Sequence, residues 1–211
     1  VKITGDITAT VDEVEKIILD STGAASLDGA NVGTDTTEVT VKGGNLVTYK
    51  NAVQERTFTV LEASTGLTVT AKHTDTATDA ITVNLDAAKL GTITLGDVAA
   101  NATYGYDYET VNLVLSGDGS ATVAEGDGGT AGTAGWNSTA DTINVTGTGD
   151  YKLTFSDLAL GGNAILANAV ATKIDASGHT GALTVDLGLV DLINVSAKNW
   201  TGVDAIRVST D

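Results

Sequence analysis

The stretch Asp141–Asp157, "DTINVTGTGDYKLTFSD", decides how this chain is read. Thr142-Ile-Asn-Val145 and Tyr151-Lys-Leu-Thr-Phe155 alternate polar and apolar residues, and Gly147-Thr-Gly-Asp150 separates them. Alternation with period two sends side chains to opposite faces, so each run reads as a strand with one buried face. Gly and Asp between two such runs are turn chemistry. The same arrangement stands about thirty residues earlier as "ETVNLVLSGDGSATVAEGD" (Glu109–Asp127) and about thirty later as "TKIDASGHTGALTVD" (Thr172–Asp186).

Two columns of apolar residues carry the repeat. Ile93, Val123, Leu153 and Leu183 each lie thirty residues apart, and Asp97, Asp127 and Asp157 follow the first three by four places. Ile81, Val111, Ile143, Ile174 and Ile206 form a second column, separated by 30, 32, 31 and 32 residues. A weaker third column runs through Ile165 and Ile193. A fixed period in this range is the mark of stacked units, each of which buries its apolar face only against its neighbours. The expected fold is therefore all-β, a parallel β-solenoid (β-helix) with repeats of about thirty residues over the C-terminal two-thirds. The strand spacing also fits an Ig-like β-sandwich, which needs strands every 8–12 residues and no long-period identity.

The domain reading is 1–72 as an irregular β region and 73–211 as the repeat solenoid. The N-terminal part does not hold the period. It reads either as divergent units of the same stack or as a small antiparallel sandwich. In "TEVTVKGGNLVTYK", Gly43-Gly44-Asn45 punctuates two alternating runs as a hairpin would. "TATVDEVEKIILD" fits a helix start by its acids and a strand by Glu15–Leu19, and "GNAILANAVATK" (Gly162–Lys173) has the Ala and Leu of a helical turn or two.

Composition narrows the function. The chain has 11 Lys and Arg against 27 Asp and Glu, a formal charge of −16. A phosphate backbone is repelled by such a surface, which argues against nucleic acid. No apolar run reaches the ~20 residues of a membrane helix, so membrane insertion is not expected. With no Cys, thiolate metal sites and disulfides are excluded, and with no Pro every strand residue keeps its ladder donor.

The acids pose the chemical question. Stacking sets equivalent residues about 4.8 Å apart, where like charges repel by about 1 kcal/mol in water. Basic residues are too few to pair with all of them. A divalent cation relieves the repulsion, and Ca²⁺ accepts six to eight hard oxygens from carboxylates and turn carbonyls. The candidate ligands are Asp97, Asp127 and Asp157 in their column, with Asp118 in "SGDGS" and Asp150 in "GTGD", where neighbouring Gly lets carbonyls turn toward an ion. The competing reading of each Asp is a favoured turn residue.

Catalysis is not expected. His73 and His179 are the two histidines, far apart and outside any metal spacing, with His179 read as a solvated turn residue in "ASGHTG". No GxSxG elbow or phosphate loop occurs. Tyr104, Tyr106 and Trp136 are candidate binding aromatics, for a sugar platform or for covering the end of a core.

"YETVNLVLSGD", "ADTINVTGTGDYKLTFSDL" and "TKIDASGHTGALTVDL" resemble the repetitive regions of bacterial S-layer proteins and of type I-secreted, RTX-like surface proteins. The resemblance covers about residues 79–208. It implies a secreted, cell-surface structural protein, Ca²⁺-stabilised, that self-associates into a lattice or filament. The alternative expectation, resting on Tyr104, Tyr106 and Trp136, is an adhesin module that binds a carbohydrate or a cell surface, such as a cell-surface glycan. The chain departs from the family in lacking the G-G-x-G-x-D calcium nonapeptide: "GGTAGTAGW" begins correctly and has no Asp.

Overall fold

The computed structural model describes residues 5–8, 10–20, 23–43, 46–52, 56–61, 66–71, 80–86, 89–96, 110–126, 142–155, 173–186 and 201–207. They form β1 (Gly5–Ile7), β2 (Lys16–Asp20), β3 (Ala25–Asp28), β4 (Glu38–Lys42), β5 (Leu46–Ala52), β6 (Thr57–Leu61), β7 (Gly66–Ala71) and β8 (Ala80–Asp86). The chain continues through β9 (Lys89–Gly96), β10 (Thr110–Ser116), β11 (Gly119–Gly126), β12 (Thr142–Thr148), β13 (Tyr151–Phe155), β14 (Lys173–Thr180), β15 (Leu183–Asp186) and β16 (Ala205–Arg207). One short 3-10 turn, Gly29–Asn31, is the helical element among the described residues, and no helix there is long and apolar enough to cross a membrane.

The fold is all-β with two parallel sheets. One sheet has the order β1-β3-β5-β7-β9-β11-β13-β15-β16, the other β14-β12-β10-β8-β6-β4-β2. From β1 to β15 the chain alternates between sheets, so two strands that follow one another in sequence never pair. A parallel pair needs a crossover. Here the crossover is the intervening strand of the opposite sheet together with its connections. Every strand pairing among the described residues is parallel, unlike the antiparallel pairing of an Ig-like sandwich.

The alternating residues explain why the sheets face one another. In β8, Ile81, Val83 and Leu85 are buried while Ala80, Thr82 and Asn84 are half-buried and Asp86 is exposed. The same alternation holds in β6 and β13. The inward residues of both sheets form a single apolar cluster from Ile17 to Val185. Each fully buried Val, Leu, Ile or Phe in it contributes ~1.5–3 kcal/mol relative to exposure. The alternation in β2 places Ile17 and Leu19 inward, so the strand reading of that stretch holds and the helix start does not.

Register confirms one expected column and corrects the other. Ile81, Val111, Ile143 and Ile174 are aligned neighbours in the even-numbered sheet. Ile206, the fifth expected member, pairs instead with Val185 in the odd-numbered sheet. Val123 does align with Ile93, but its partner on the other side is Phe155, and Leu153 aligns with Ala121 and Val185. Leu183 aligns with Tyr151. The spacing there is thus thirty and then thirty-two. A shift of two residues keeps every side chain on its own face, so alternation alone cannot detect it.

The sheets run unbroken through the N-terminal region. β6 pairs with β8 and β7 with β9. Partner residues there are closer in sequence: Lys16 lies beside Glu38, and Glu38 beside Thr57. β4 and β5 fall in different sheets, so Gly43-Gly44-Asn45 does not close a hairpin. Tyr49 and Phe58 meet edge to face at 5.2 Å in this part of the core. The buried Arg56 donates to the Tyr49 hydroxyl and to the carbonyl oxygens of Gly33 (3.0 Å) and Val32 (3.4 Å), which ties residues 29–37 to the sheets.

Candidate functional site

The described part of the Asp-rich motif is the connection from β10 to β11, from β12 to β13 and from β14 to β15. The register stacks these corners directly. Gly149 and Gly181 follow the aligned Thr148 and Thr180, and Gly117 lies two places beyond Leu115, the partner of Gly147. Gly117, Gly149 and Gly181 all have positive φ: 73°, 101° and 138°. A Cβ at Gly149 would overlap the carbonyl oxygen of Gly117, and one at Gly181 that of Gly149. Two constraints therefore select Gly: the left-handed backbone and the close approach of the neighbouring corner.

The aspartates that follow these glycines bind backbone. Asp150 N–H donates to Oδ1 of Asp118 at 2.8 Å, and Ala182 N–H donates to Oδ1 of Asp150 at 2.9 Å. Main-chain bonds run alongside: Gly119 N–H to Asp150 O (3.1 Å), Tyr151 N–H to Ala182 O (2.8 Å) and Gly149 N–H to Thr180 O (3.2 Å). In the last layer the direction reverses. Leu183 N–H donates to Oδ2 of Asp204 at 2.7 Å. Strands that leave one sheet for the other expose unpaired amides at the corner, and these carboxylates satisfy them.

His179 belongs to the same corner. It lies in β14 rather than in a solvated turn, is half-buried, and its Nε2–H donates to Gly149 O at 2.9 Å. Tyr151, buried just after Asp150, has its phenol pKa pushed up to about 12 by desolvation.

Outside the corner, polar residues bond from strand to strand. Along the outer face of the even-numbered sheet, Asn144 Nδ2 donates to Asn112 Oδ1 (2.9 Å) and Asn112 Nδ2 to Thr82 Oγ1 (3.4 Å). At the N-terminal end Lys16 pairs with Glu38 at 2.7 Å, and that hydrogen bond holds the Glu38 carboxyl below its usual range. Asp28 accepts from Asn51 Nδ2 (2.7 Å) and Ala30 N–H (2.9 Å), which lower its pKa in that order.

Of the five expected calcium ligands, the described residues include Asp118 and Asp150; Asp97, Asp127 and Asp157 lie outside them, as do Tyr104, Tyr106 and Trp136. At the Asp118–Asp150 corner the carboxylates make backbone contacts. Each carboxylate directs Oδ1 at an amide, and no group of three or more His, Asp or Glu able to hold a metal occurs among the described residues. A second acidic place was not evident in the sequence. Glu13, Glu15 and Asp35, with Thr34 and Thr37, line an open cleft of about 650 Å³. Thr37 N–H donating to Glu15 O (2.9 Å) and Thr36 Oγ1 donating to Val14 O (2.5 Å) hold its two walls together. The acids of 8–15 read in sequence as a helix start, and their proximity to Asp35 depends on pairing across twenty residues.

No protein-family model, no curated protein and no solved structure matches this chain.

Proposed function

We propose that this chain is a structural module of a bacterial extracellular assembly, built as one β-solenoid and stabilised in part by Ca²⁺. The solenoid reading joins the two parallel sheets into successive coils, about twenty residues long near the N-terminus and about thirty beyond residue 80, as the partner spacings support.

The observation that carries the proposal is the use of the corner residues. Aspartates at the corners, and asparagines on the outer face of the even-numbered sheet, bond one coil to the next. Such a stack adds length and rigidity with each coil, which suits a scaffold. Self-association into a lattice or filament at the cell surface is the assembly this reading calls for. Calcium enters through the acids that the sequence sets in one column, Asp97, Asp127 and Asp157.

The experiment is thermal melting and light scattering of the chain in 1 mM Ca²⁺ and after chelation. The expected result is a lower Tm and smaller particles without Ca²⁺. An unchanged Tm and particle size would remove calcium from the proposal, and a monomer under both conditions would remove assembly.

A further inference from the structure

Among the described residues, charge differs between the strands and the segments that flank them. The sixteen strands hold seven of the eleven Lys and Arg and eight of the twenty-seven Asp and Glu, a net of −1. The described residues outside the strands hold one base, Arg56, and seven acids, Asp12, Glu13, Glu15, Asp35, Asp118, Asp150 and Asp204, a net of −6. A strand position that alternates outward tolerates Lys, Asp, Thr or Asn alike, so the fold alone does not require this division.

The even-numbered sheet shows it most strongly. Across β6, β8, β10 and β12 the one charged residue is Asp86, whose Oδ1 accepts from Ser116 Oγ at 2.9 Å. The charges of β2 and β4 are paired, Lys16 with Glu38 and Lys42 with Asp20 at 3.2 Å. Two of the three large apolar side chains exposed among the described residues, Ile18 (39 %) and Val114 (36 %), stand in one column of this face, in register through Thr40, Thr59 and Asn84.

We infer that the outer face of the even-numbered sheet is the surface through which a second copy of this chain binds, face to face. The inference rests on the assembly reading above and names its contact. Two bodies of charge −16 repel wherever their acids come within a Debye length of ~8–10 Å. They can approach closely across β2 to β12 of this face, where Asp86 is the one charge outside the Lys16–Glu38 and Lys42–Asp20 pairs; Lys173 and Asp175 lie on β14 at its edge. Seven strands ~4.8 Å apart and about six residues long present roughly 600 Å² in projection, close to the ~800 Å² per partner of a stable interface. Val114 and Ile18 supply the apolar contact, and the Thr and Asn side chains around them supply a polar rim.

The test is sedimentation velocity of the whole chain between about 1 and 500 μM in 0.15 M salt with 1 mM Ca²⁺, for the wild type, Val114→Glu, Ile18→Glu and, on the opposite sheet, Thr122→Glu. Circular dichroism establishes that each variant is folded. The expected result is a reversible dimer for the wild type and Thr122→Glu, at least tenfold weaker for Val114→Glu and Ile18→Glu. Equal association of all four would overturn this face and leave the assembly reading standing. A monomeric wild type would overturn both. A monomer retarded by a neutral polysaccharide, with Val114→Glu losing that retardation, would assign the face to a glycan instead of a second copy.

Discussion

Oδ1 of Asp118 accepts the backbone N–H of Asp150 at 2.8 Å, and the equivalent oxygen of Asp150 accepts the N–H of Ala182. One side chain thus serves the corner thirty-two residues later, and the pattern repeats. A charge-assisted bond of this kind at an exposed corner stabilises by about 1 kcal/mol, because water replaces it in part when it is lost. Asp118→Ala should lower stability by about that amount in urea unfolding, and Asp118→Asn by less, since the amide oxygen still accepts. Equal losses for Ala and Asn would show that the carboxylate's contact with Asp150 is not what matters.

Gly149 and Gly23 form a matched pair for the stacking claim. Gly149 has φ +101° and faces the Gly117 carbonyl, whereas a Cβ at Gly23 meets nothing within 4 Å. Gly149→Ala should cost about 3 kcal/mol, the left-handed penalty of ~1–2 kcal/mol plus the overlap with backbone. Gly23→Ala should stay within about 0.5 kcal/mol. Similar melting temperatures for the two variants would mean that the corners do not approach as closely as described.

The Glu38 carboxyl predicts a pH dependence of known sign. Its folded pKa is lowered, chiefly by the hydrogen bond from Lys16. The pair therefore stabilises at pH above the unfolded value near 4.5, and that contribution is lost as pH falls through the folded pKa. The side chains are 48 % and 34 % exposed, which limits the effect to a few tenths of a kcal/mol. Acid also relieves the self-repulsion of a −16 chain, so the comparison must be internal. The gap in urea midpoint between wild type and Glu38→Gln should be measurable at pH 7 and shrink as pH falls below 4.5 and through the lowered folded pKa. A gap that is constant with pH would contradict the pairing.

The strands were largely legible in the sequence because their signal is local. Val39, Val41, Phe58, Val60, Leu67, Val69, Ile81, Val83 and Leu85 alternate in the chain and are all buried. The column from Ile81 to Ile174 was legible too, since its members recur every 30 to 32 residues. Register in the other sheet was not. Leu153 lies beside Ala121 instead of Val123, and a shift of two residues leaves the pattern of burial intact. The parallel stack up to β7 was also hidden, because connections of unequal length erase the period while leaving the pairing in place. At the corner, Asp118 and Asp150 were legible as turn residues and as oxygen donors. Which amide each one meets depends on the neighbouring strand, thirty-two residues away.

The central claim is that neighbouring corners and strands are stacked in parallel and in register, and the absence of Cys allows a direct test. Val114 and Thr146 are aligned partners on the outer face of β10 and β12. Parallel neighbours there lie within the 4.4–6.8 Å that a disulfide spans between Cα atoms. Val114→Cys combined with Thr146→Cys should oxidise readily to an intramolecular disulfide in the folded chain, seen by mass spectrometry. Val114→Cys with Thr142→Cys, displaced by four residues along β12, should remain reduced. Cross-linking of the displaced pair in preference to the aligned one would contradict the register, and with it the stack on which the proposed function rests.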